Sequence, residues 1–466
     1  MIIPPDANSK ADQLVAARQL LQKILALPNL SEAFNTDERP TAKMVYTHGV
    51  TLWMLILQRL GGGSTLSELV THVLEHGRDI FPENKRVREG TLSDNTSSYS
   101  QARKRLPVSV VEAFSRQVCD HLGRTAERVF DNRRVFIIDG TTVTLAPTPA
   151  LRKAFPPATN QHGESVWPVA MLMVASELQS GCVLLPQVDP MYGPDNSSEA
   201  DQGRRIVQQL PGNSVVLADS GFGIFSVAYH CRLSGHDFVY RLSMSRYKAL
   251  RKQAQLVVEG KGYKTYQLTW RPSVKDRKSN PELPQDAAIE VFIHEVELAG
   301  GTTLAMVSSL EIDASTAAEI YCRRYDVEFD IRDLKVTMDT ENIRATSVEM
   351  VQKELMTSVV AYNLTAQFRR QASKLAQVEP RRLSFSGVWT SFREILLYGQ
   401  SKTFDEWLVT YTRALISASK RRLPNRKTAR SYPRVAHPRR PKTTKFQKSL
   451  REKKKDTTGE SPPNQP

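Results

Sequence analysis

Hydrophobic positions along the chain follow two different periods. Through residue 130, apolar residues recur every three or four positions, the spacing of an amphipathic helix. Ala11–Leu27, Lys43–Leu60 and Leu66–His76 carry that pattern with Gly or Pro at the breaks, and Ser97–Arg105 reads as a short basic helix. From Arg134 the pattern changes to short aliphatic and β-branched runs: VFIID (135–139), VWPVAMLMVAS (166–176), CVLLPQV (182–188) and SVVLAD (214–219). Runs of that length, bounded by turn residues, predict strands, with a helix over Glu199–Leu210 between the last two. Residues 237–300 keep strand runs (DFVYRL, QLVVEG, KTYQLTW, AIEVFIHEVEL) but lose helical ones, and the Pro-containing stretch 272–284 predicts a loop. LAMVSSL (304–310) is a further strand, a long helix starts near Ala314, and helices follow at 346–373, 388–399 and 403–420.

The elements divide the chain into an all-α N-terminal domain (1–130), an α/β core in two parts (131–236 and 303–345), a β-rich insertion (237–302) and a helical C-terminal region (346–423). A Pro- and charge-rich tail (424–466) is expected to be disordered on its own. There is no internal repeat.

Charge changes the picture at one end. Of 64 Lys and Arg and 49 Asp and Glu, sixteen bases and three acids lie from Lys420 onward, so the body is close to neutral and the tail is a polycation. Such a tail gains free energy by releasing counterions from a polyanion, which points to nucleic acid. No apolar run is long enough to span a bilayer, and the N-terminus lacks a signal-peptide layout, so a cytoplasmic, nucleoid-associated protein without a membrane partner is expected. Cys119, Cys182, Cys231 and Cys322 are widely spaced, which disfavours a cysteine zinc site and fits reduced thiols.

Candidate chemistry lies in the carboxylates. Asp139 ends an apolar run before Gly-Thr-Thr, and Asp219 ends another before Ser-Gly-Phe-Gly. An acid at the end of a buried strand emerges where the sheet meets solvent, and two such acids on neighbouring strands suit Mg²⁺ or Mn²⁺. Each alone could equally cap a turn. A third segment, YCRRYDVEFDIRDLK (321–335), places Tyr321, Arg324, Glu328 and Lys335 within about 60° of one another on a regular helix, with Arg332 beside them. Asp326, Asp330 and Asp333 fall on the other side, as expected of solvent-facing acids or acids paired with surface bases. Glu328 is thus the acid among the cations. That arrangement fits a salt bridge, and it also fits phosphodiester chemistry, where metal acts on the reacting oxygens and cations hold the phosphates. In Ser97–Arg105, Tyr99, Gln101, Arg103 and Lys104 are residue types that reach phosphates and base edges.

The spacing Tyr-x2-Arg-x3-Glu-x6-Lys resembles the signature of the IS-four family of bacterial insertion-sequence DDE transposases. IIDGTT and VLADSGFG resemble the family's two Asp motifs, YSQARKRLP its N-terminal domain, KELMTSVVAYNLTAQFRRQA its post-Glu helix and RSYPRVAHPRRPK its basic C-terminus. The resemblance implies a ribonuclease H-like core with a β-rich insertion, and Asp139, Asp219 and Glu328 holding Mg²⁺, with Mn²⁺ as a substitute. It implies cleavage at transposon ends and transfer of the freed 3′-OH into target DNA. Tyr321, Arg324 and Lys335 would contact the terminal DNA backbone, and a homodimer would pair two ends on double-stranded DNA. Relatives that form a hairpin flip a base onto an insertion-domain Trp. Trp270 is the only Trp of the insertion here, and its segment does not align to that role.

Other signals are weaker. HVLEH (72–76) fits an inverted zinc-protease motif, but no third ligand accompanies His72 and His76. No P-loop is present, so nucleotide hydrolysis is not expected. A nuclease or resolvase of the same fold, or a domesticated DNA-binding protein, remain alternatives to a transposase.

Overall fold

The computed structural model describes residues 44–424, apart from 63, 78–79, 83, 125–127, 129, 162, 299–300 and 399–403. The expected helix Ala11–Leu27 and the basic tail beyond residue 424 lie outside the described residues. The described residues begin with helices α1 (His48–Leu60), α2 (Leu66–His76), α3 (Lys85–Arg88), α4 (Ser97–Arg105) and α5 (Val108–Arg124). Strand β1 (Val135–Thr144), helix α6 (Pro149–Ala154) and strands β2 (Pro157–Asn160), β3 (Gly163–Glu177) and β4 (Gln187–Pro190) follow. Then come α7 (Glu199–Val207), β5 (Val215–Ala218), α8 (Phe225–Leu233), β6 (Asp237–Arg241), α9 (Met244–Arg251), β7 (Gln255–Gly260) and β8 (Tyr263–Trp270). The remainder is α10 (Val274–Ser279), β9 (Ile289–Leu298), β10 (Thr302–Ser308), α11 (Ala314–Cys322), α12 (Asp326–Arg332), α13 (Val348–Ala376), α14 (Phe385–Tyr398) and α15 (Phe404–Ser419).

Among the described residues ten strands join one sheet, in the order β2-β3-β1-β5-β6-β10-β9-β8-β7, with β4 also on β3. β1, β5 and β6 are parallel, and β3 is antiparallel to β1. Helices cover both faces, which is why the central strands read as unbroken apolar runs. Phe136, Ile138, Val216 and Ala218 pack on the face carrying α7 and α8, with Ile206, Val207, Val227 and Ala228. Val135, Ile137, Val215 and Leu217 face the other way, onto Ala317, Ile320, Tyr321 and Val327. A further core joins the N-terminal helices to α13, α14 and α15 through Leu55, Leu69, Phe114, Tyr362, Phe368 and Tyr411.

Two expectations need correcting. Residues 237–300 do not lose helices: α9 and α10 lie among the strands. The supposed loop at 272–284 contains α10, started by a capping box in which the Ser273 hydroxyl accepts from Asp276 N–H and Asp276 reaches back to Ser273 N–H. DFVYRL is a parallel strand against β5, and β7, β8 and β9 continue the same sheet through β10.

Candidate active site

β1 and β5 pair in parallel from Val135↔Val215 to Ile137↔Leu217. Asp139 and Asp219 each lie two residues beyond that last pair, so they leave the parallel ladder side by side at its carboxyl end. Clefts in open α/β sheets form at such carboxyl ends. The expectation that β1 stops at Asp139 is corrected: it continues to Thr144 along β3, with Asp139 opposite Val174. What stops is its pairing with β5, whose chain turns away after Ala218. Gly140 N–H donates to Asp139 Oδ1 at 2.9 Å, and Gly221 N–H to Asp219 Oδ1 at 2.8 Å.

Asp139 is on the same face of β1 as Ile137, the face covered by the 314–337 segment. That segment is not one regular helix. α11 gives way to a 3₁₀ turn at Arg323–Tyr325, then α12, then a π turn at Asp333–Thr337. Tyr321, Arg324, Glu328 and Lys335 still come to β1 or the acids beside it. Arg324 is the hub: Nη2 donates to Glu328 Oε1 at 2.7 Å, and Nη1 lies 3.7 Å from Asp139 Oδ2. Lys335 Nζ donates to Thr142 O at 2.8 Å and Thr141 Oγ1 at 3.3 Å, fixing the segment to β1 just past Asp139. Tyr321 is buried, and burial pushes its hydroxyl up to about 12. Arg332 departs from the group: it is exposed, lies over the Phe329 ring and pairs with Asp333 at 3.6 Å.

Two of the three neighbouring acids are buried rather than solvent-facing, while Asp326 is half-buried and pairs with a partly exposed base, as expected. Asp330 is fully buried and accepts from Ser176 Oγ at 2.5 Å and Arg381 Nη2 at 2.6 Å, with Arg369 at 3.8 Å. Asp333 is buried near Arg369, and Asp326 takes Arg323 at 2.9 Å and Arg381 at 3.6 Å. A helical wheel shows one apolar stripe, whereas this segment is sandwiched. Val327 packs on the sheet, while Leu334 and Met338 join the core built on α13.

Burial pushes the Asp139 carboxyl up to about 6, opposed by Arg324 and reinforced by the charges of Asp219 and Glu328. One acid at the site escaped the sequence reading. Glu199, in the first turn of α7, has its carboxyl raised by desolvation on its protein-facing side and then by Asp219. Its signal was present but indirect: an acid opening the helix that precedes β5.

Other candidates are placed elsewhere. Tyr99 is fully buried in the N-terminal core and so cannot reach a surface ligand; Arg103 is half-buried and bonds Glu354 at 2.7 Å, and Gln101 and Lys104 are exposed. Trp270 is buried with its ring edge-on to Phe225. The His72 and His76 rings lie 5.0 Å apart, and among the described residues no group of three His, Cys, Asp or Glu is close enough to hold a metal ion as it stands. All four cysteines are free thiols.

The family model described as the transposase DDE domain matches residues 131–364, half of the chain. The protein belongs to the DDE transposase family. Its matched segment contains Asp139, Asp219, Glu328 and the whole sheet. The chain is 23% identical over 298 residues to transposase InsG for insertion sequence element IS4 of Escherichia coli (strain K12), covering 62% of this chain and 65% of that relative. It therefore spans just under two thirds of the curated relative's length. Among solved structures it is similar to a piggyBac transposase in a synaptic complex with hairpin DNA, at a TM-score of 0.37 and 10% identity over 86% of this chain and 82% of that one. Among the described residues no helix is long and apolar enough to cross a membrane.

Proposed function

We propose that this DDE family member is a DNA transposase in which Asp139, Asp219 and Glu328 hold divalent metal for cleavage at transposon ends and strand transfer. The observation that carries the reading is the matched two-residue offset of Asp139 and Asp219 beyond the last β1–β5 pair, with Glu328 joined to Asp139 through Arg324. The strand order, with β3 antiparallel to β1 and both β5 and β6 parallel to it, supports a ribonuclease H-like core. On this reading residues 1–130 form a DNA-binding domain, 131–236 and 303–345 the two parts of the core, 237–302 the insertion, 346–423 the helical C-terminal region and 424–466 the basic tail.

The donor set fits a hard divalent ion such as Mg²⁺, with Mn²⁺ as a substitute. It is all oxygen, and the acids outnumber the bases that touch them. Glu328 is engaged with Arg324, so the third donor is not preformed beside the two aspartates. A bound divalent ion would supply charge stabilisation for the reacting phosphate and activation of the attacking oxygen. The protein's part is positional. Arg324 holds positive charge between Asp139 and Glu328, Lys335 ties the helical segment to β1, and Tyr321 fills the space between helix and sheet. Gln101, Lys104, Arg332 and the basic tail supply contacts to double-stranded DNA, both transposon ends and target, and a homodimer pairs two ends.

The test uses the purified full-length chain and DNA carrying the gene with its flanking sequence, in Mg²⁺. Asp139→Asn, Asp219→Asn and Glu328→Gln should each lower cleavage and joining by at least about a hundredfold, more than loss of a residue that only supports a metal ligand. Strand transfer by any of the three at the wild-type rate would sink the assignment. Cleavage by the wild type without joining would instead favour a nuclease or resolvase.

A further inference from the structure

Three glycines mark where the elements around the two aspartates come close together. A Cβ on Gly140 would lie 2.8 Å from Glu199 Oε1 and 3.2 Å from its Cδ. A Cβ on Gly221 would lie 3.1 Å from Asp219 Oδ1 and 4.0 Å from Glu199 Oε2. The Glu199 carboxylate thus sits between the residue after Asp139 and the loop after Asp219. A Cβ on Gly203, further along α7, would lie 2.9 Å from the Phe222 ring, so the helix itself rests on the Asp219 loop.

Glu199 is held there by its helix. The Ser198–Asp201 capping box closes the first turn of α7. Gln202 is fully buried and donates to Asp189 Oδ2 at 2.6 Å and Met171 O at 3.3 Å, which clamps the helix to β3 and β4. Arg205 adds hydrogen bonds to Asp189 and to Ser197 Oγ.

The bases are unevenly shared. Arg324 sits on the helical side of the cleft, against Glu328 and Asp139. Among the described residues, neither Glu199 nor Asp219 has a Lys, Arg or His within ion-pair distance. Glu199 is exposed, so solvent screens it in part, but two neighbouring carboxylates with no base within ion-pair distance still repel each other, and a bound cation would relieve that.

We infer that Glu199 is a fourth carboxylate of the divalent-metal centre, donating from α7 to the ion that Asp219 holds. This rests on the reading of Asp139, Asp219 and Glu328 as metal donors. It divides the site into two halves. On the helical side Arg324 supplies positive charge within ion-pair distance; on the α7 side Arg246 is bonded to the Ser220 and Gly223 carbonyls of the Asp219 loop rather than to either carboxylate.

The experiment measures Mn²⁺ binding to the full-length chain without DNA, by electron paramagnetic resonance and calorimetric titration, so no readout depends on catalysis. Glu199→Gln keeps the side-chain shape and removes the charge. Gly140→Ala keeps the charge and pushes the flexible end of Glu199 aside, since the new Cβ would meet its carboxylate. Each should weaken Mn²⁺ binding about tenfold or more, within or beyond the effect typical of residues around a metal site. Both should melt in the absence of metal at no lower temperature than the wild type. Asp219→Asn, run alongside, should lose the same ion. Wild-type affinity in Glu199→Gln with binding lost in Asp219→Asn would overturn the role of Glu199 and leave the three-acid centre standing. Weakened binding in Gly140→Ala alone would overturn it too, because the effect would then come from Asp139. Unchanged binding in Asp139→Asn and Asp219→Asn as well would overturn the metal centre itself.

Discussion

Replacing Asp330 by Ala removes the anion on which two buried guanidinium groups depend. The carboxylate is fully buried and bonds Arg381 at 2.6 Å, and Arg369, 3% exposed, lies 3.8 Å away. Without it, Arg381 keeps Asp326 at 3.6 Å and Arg369 keeps Asp333 at 3.9 Å, both poorer contacts. Breaking a buried pair from one side costs about 3–5 kcal/mol, because the remaining charge stays out of water. A whole protein is stable by about 5–15 kcal/mol, so the variant should be marginal. Glu328, two residues earlier, gives the opposite expectation. Its side chain is 52% exposed and bonded to Arg324, and exposed pairs contribute about 0–1 kcal/mol. Urea and thermal melts followed by circular dichroism, beside a strand-cleavage assay, separate the two. Asp330→Ala should lose activity in proportion to lost folded protein; Glu328→Ala should melt like the wild type and be inactive. Adding Arg381→Met to Asp330→Asn removes both charges and should recover part of the lost stability. An Asp330→Ala protein that melts with the wild type but no longer cleaves DNA would refute the structural role given to this acid.

Two further outcomes follow from buried groups away from the cleft. His294 is fully buried on β9, with Nδ1 3.2 Å from Thr265 Oγ1 and no partner for Nε2, and burial lowers its pKa from 6.5 to about 4. The folded protein therefore binds its proton less readily than the unfolded chain, and stability is lost as pH falls from about 6.5 towards 4. The full shift is worth about 3 kcal/mol; urea melts between pH 7 and 4.5 should show a shallower acid loss in His294→Phe, and an equal loss in both proteins would contradict this. Tyr99 is fully buried with an unpartnered hydroxyl, so Tyr99→Phe should be neutral or stabilising and leave DNA affinity unchanged in a binding titration. Weakened DNA binding by a stably folded Tyr99→Phe would restore it as a contact residue.

The central strands were legible because their surroundings are simple. Residues 135–138 and 215–218 are covered on both faces, so an apolar run of four or five residues is all that position allows. The helices missed by the period were short. α9 and α10 have eight and six residues, too few to repeat a stripe, and α10 announced itself only through Ser273 and Asp276. Tyr99, on the same helix as Arg103, was misplaced for a different reason. Their helix is basic in sequence, yet it inserts beside α1 and α13, and Glu354 on α13 offsets Arg103. The same non-local effect put Asp330 and Asp333 inside: the bases that make their burial tolerable, Arg369 and Arg381, lie about forty to fifty residues downstream.

At the site, the sequence pointed to the right acids through a partly wrong geometry. An Asp followed closely by Gly was read as an acid ending its strand, or capping a turn. Gly140 is instead inside β1, and neither it nor Gly221 has a positive φ. Any residue could adopt those backbone angles; no residue with a Cβ could stand there without displacing a carboxylate. The glycines therefore record crowding among acids rather than a change of chain direction. That distinction also explains why Glu199 could not be read from its own neighbourhood. Nothing between Ser198 and Val207 reveals where α7 docks, whereas the missing side chains at 140, 203 and 221 are the contact surfaces of that docking. An acid-glycine pair at the edge of a parallel ladder is thus a reason to look for another carboxylate on whichever helix packs across it.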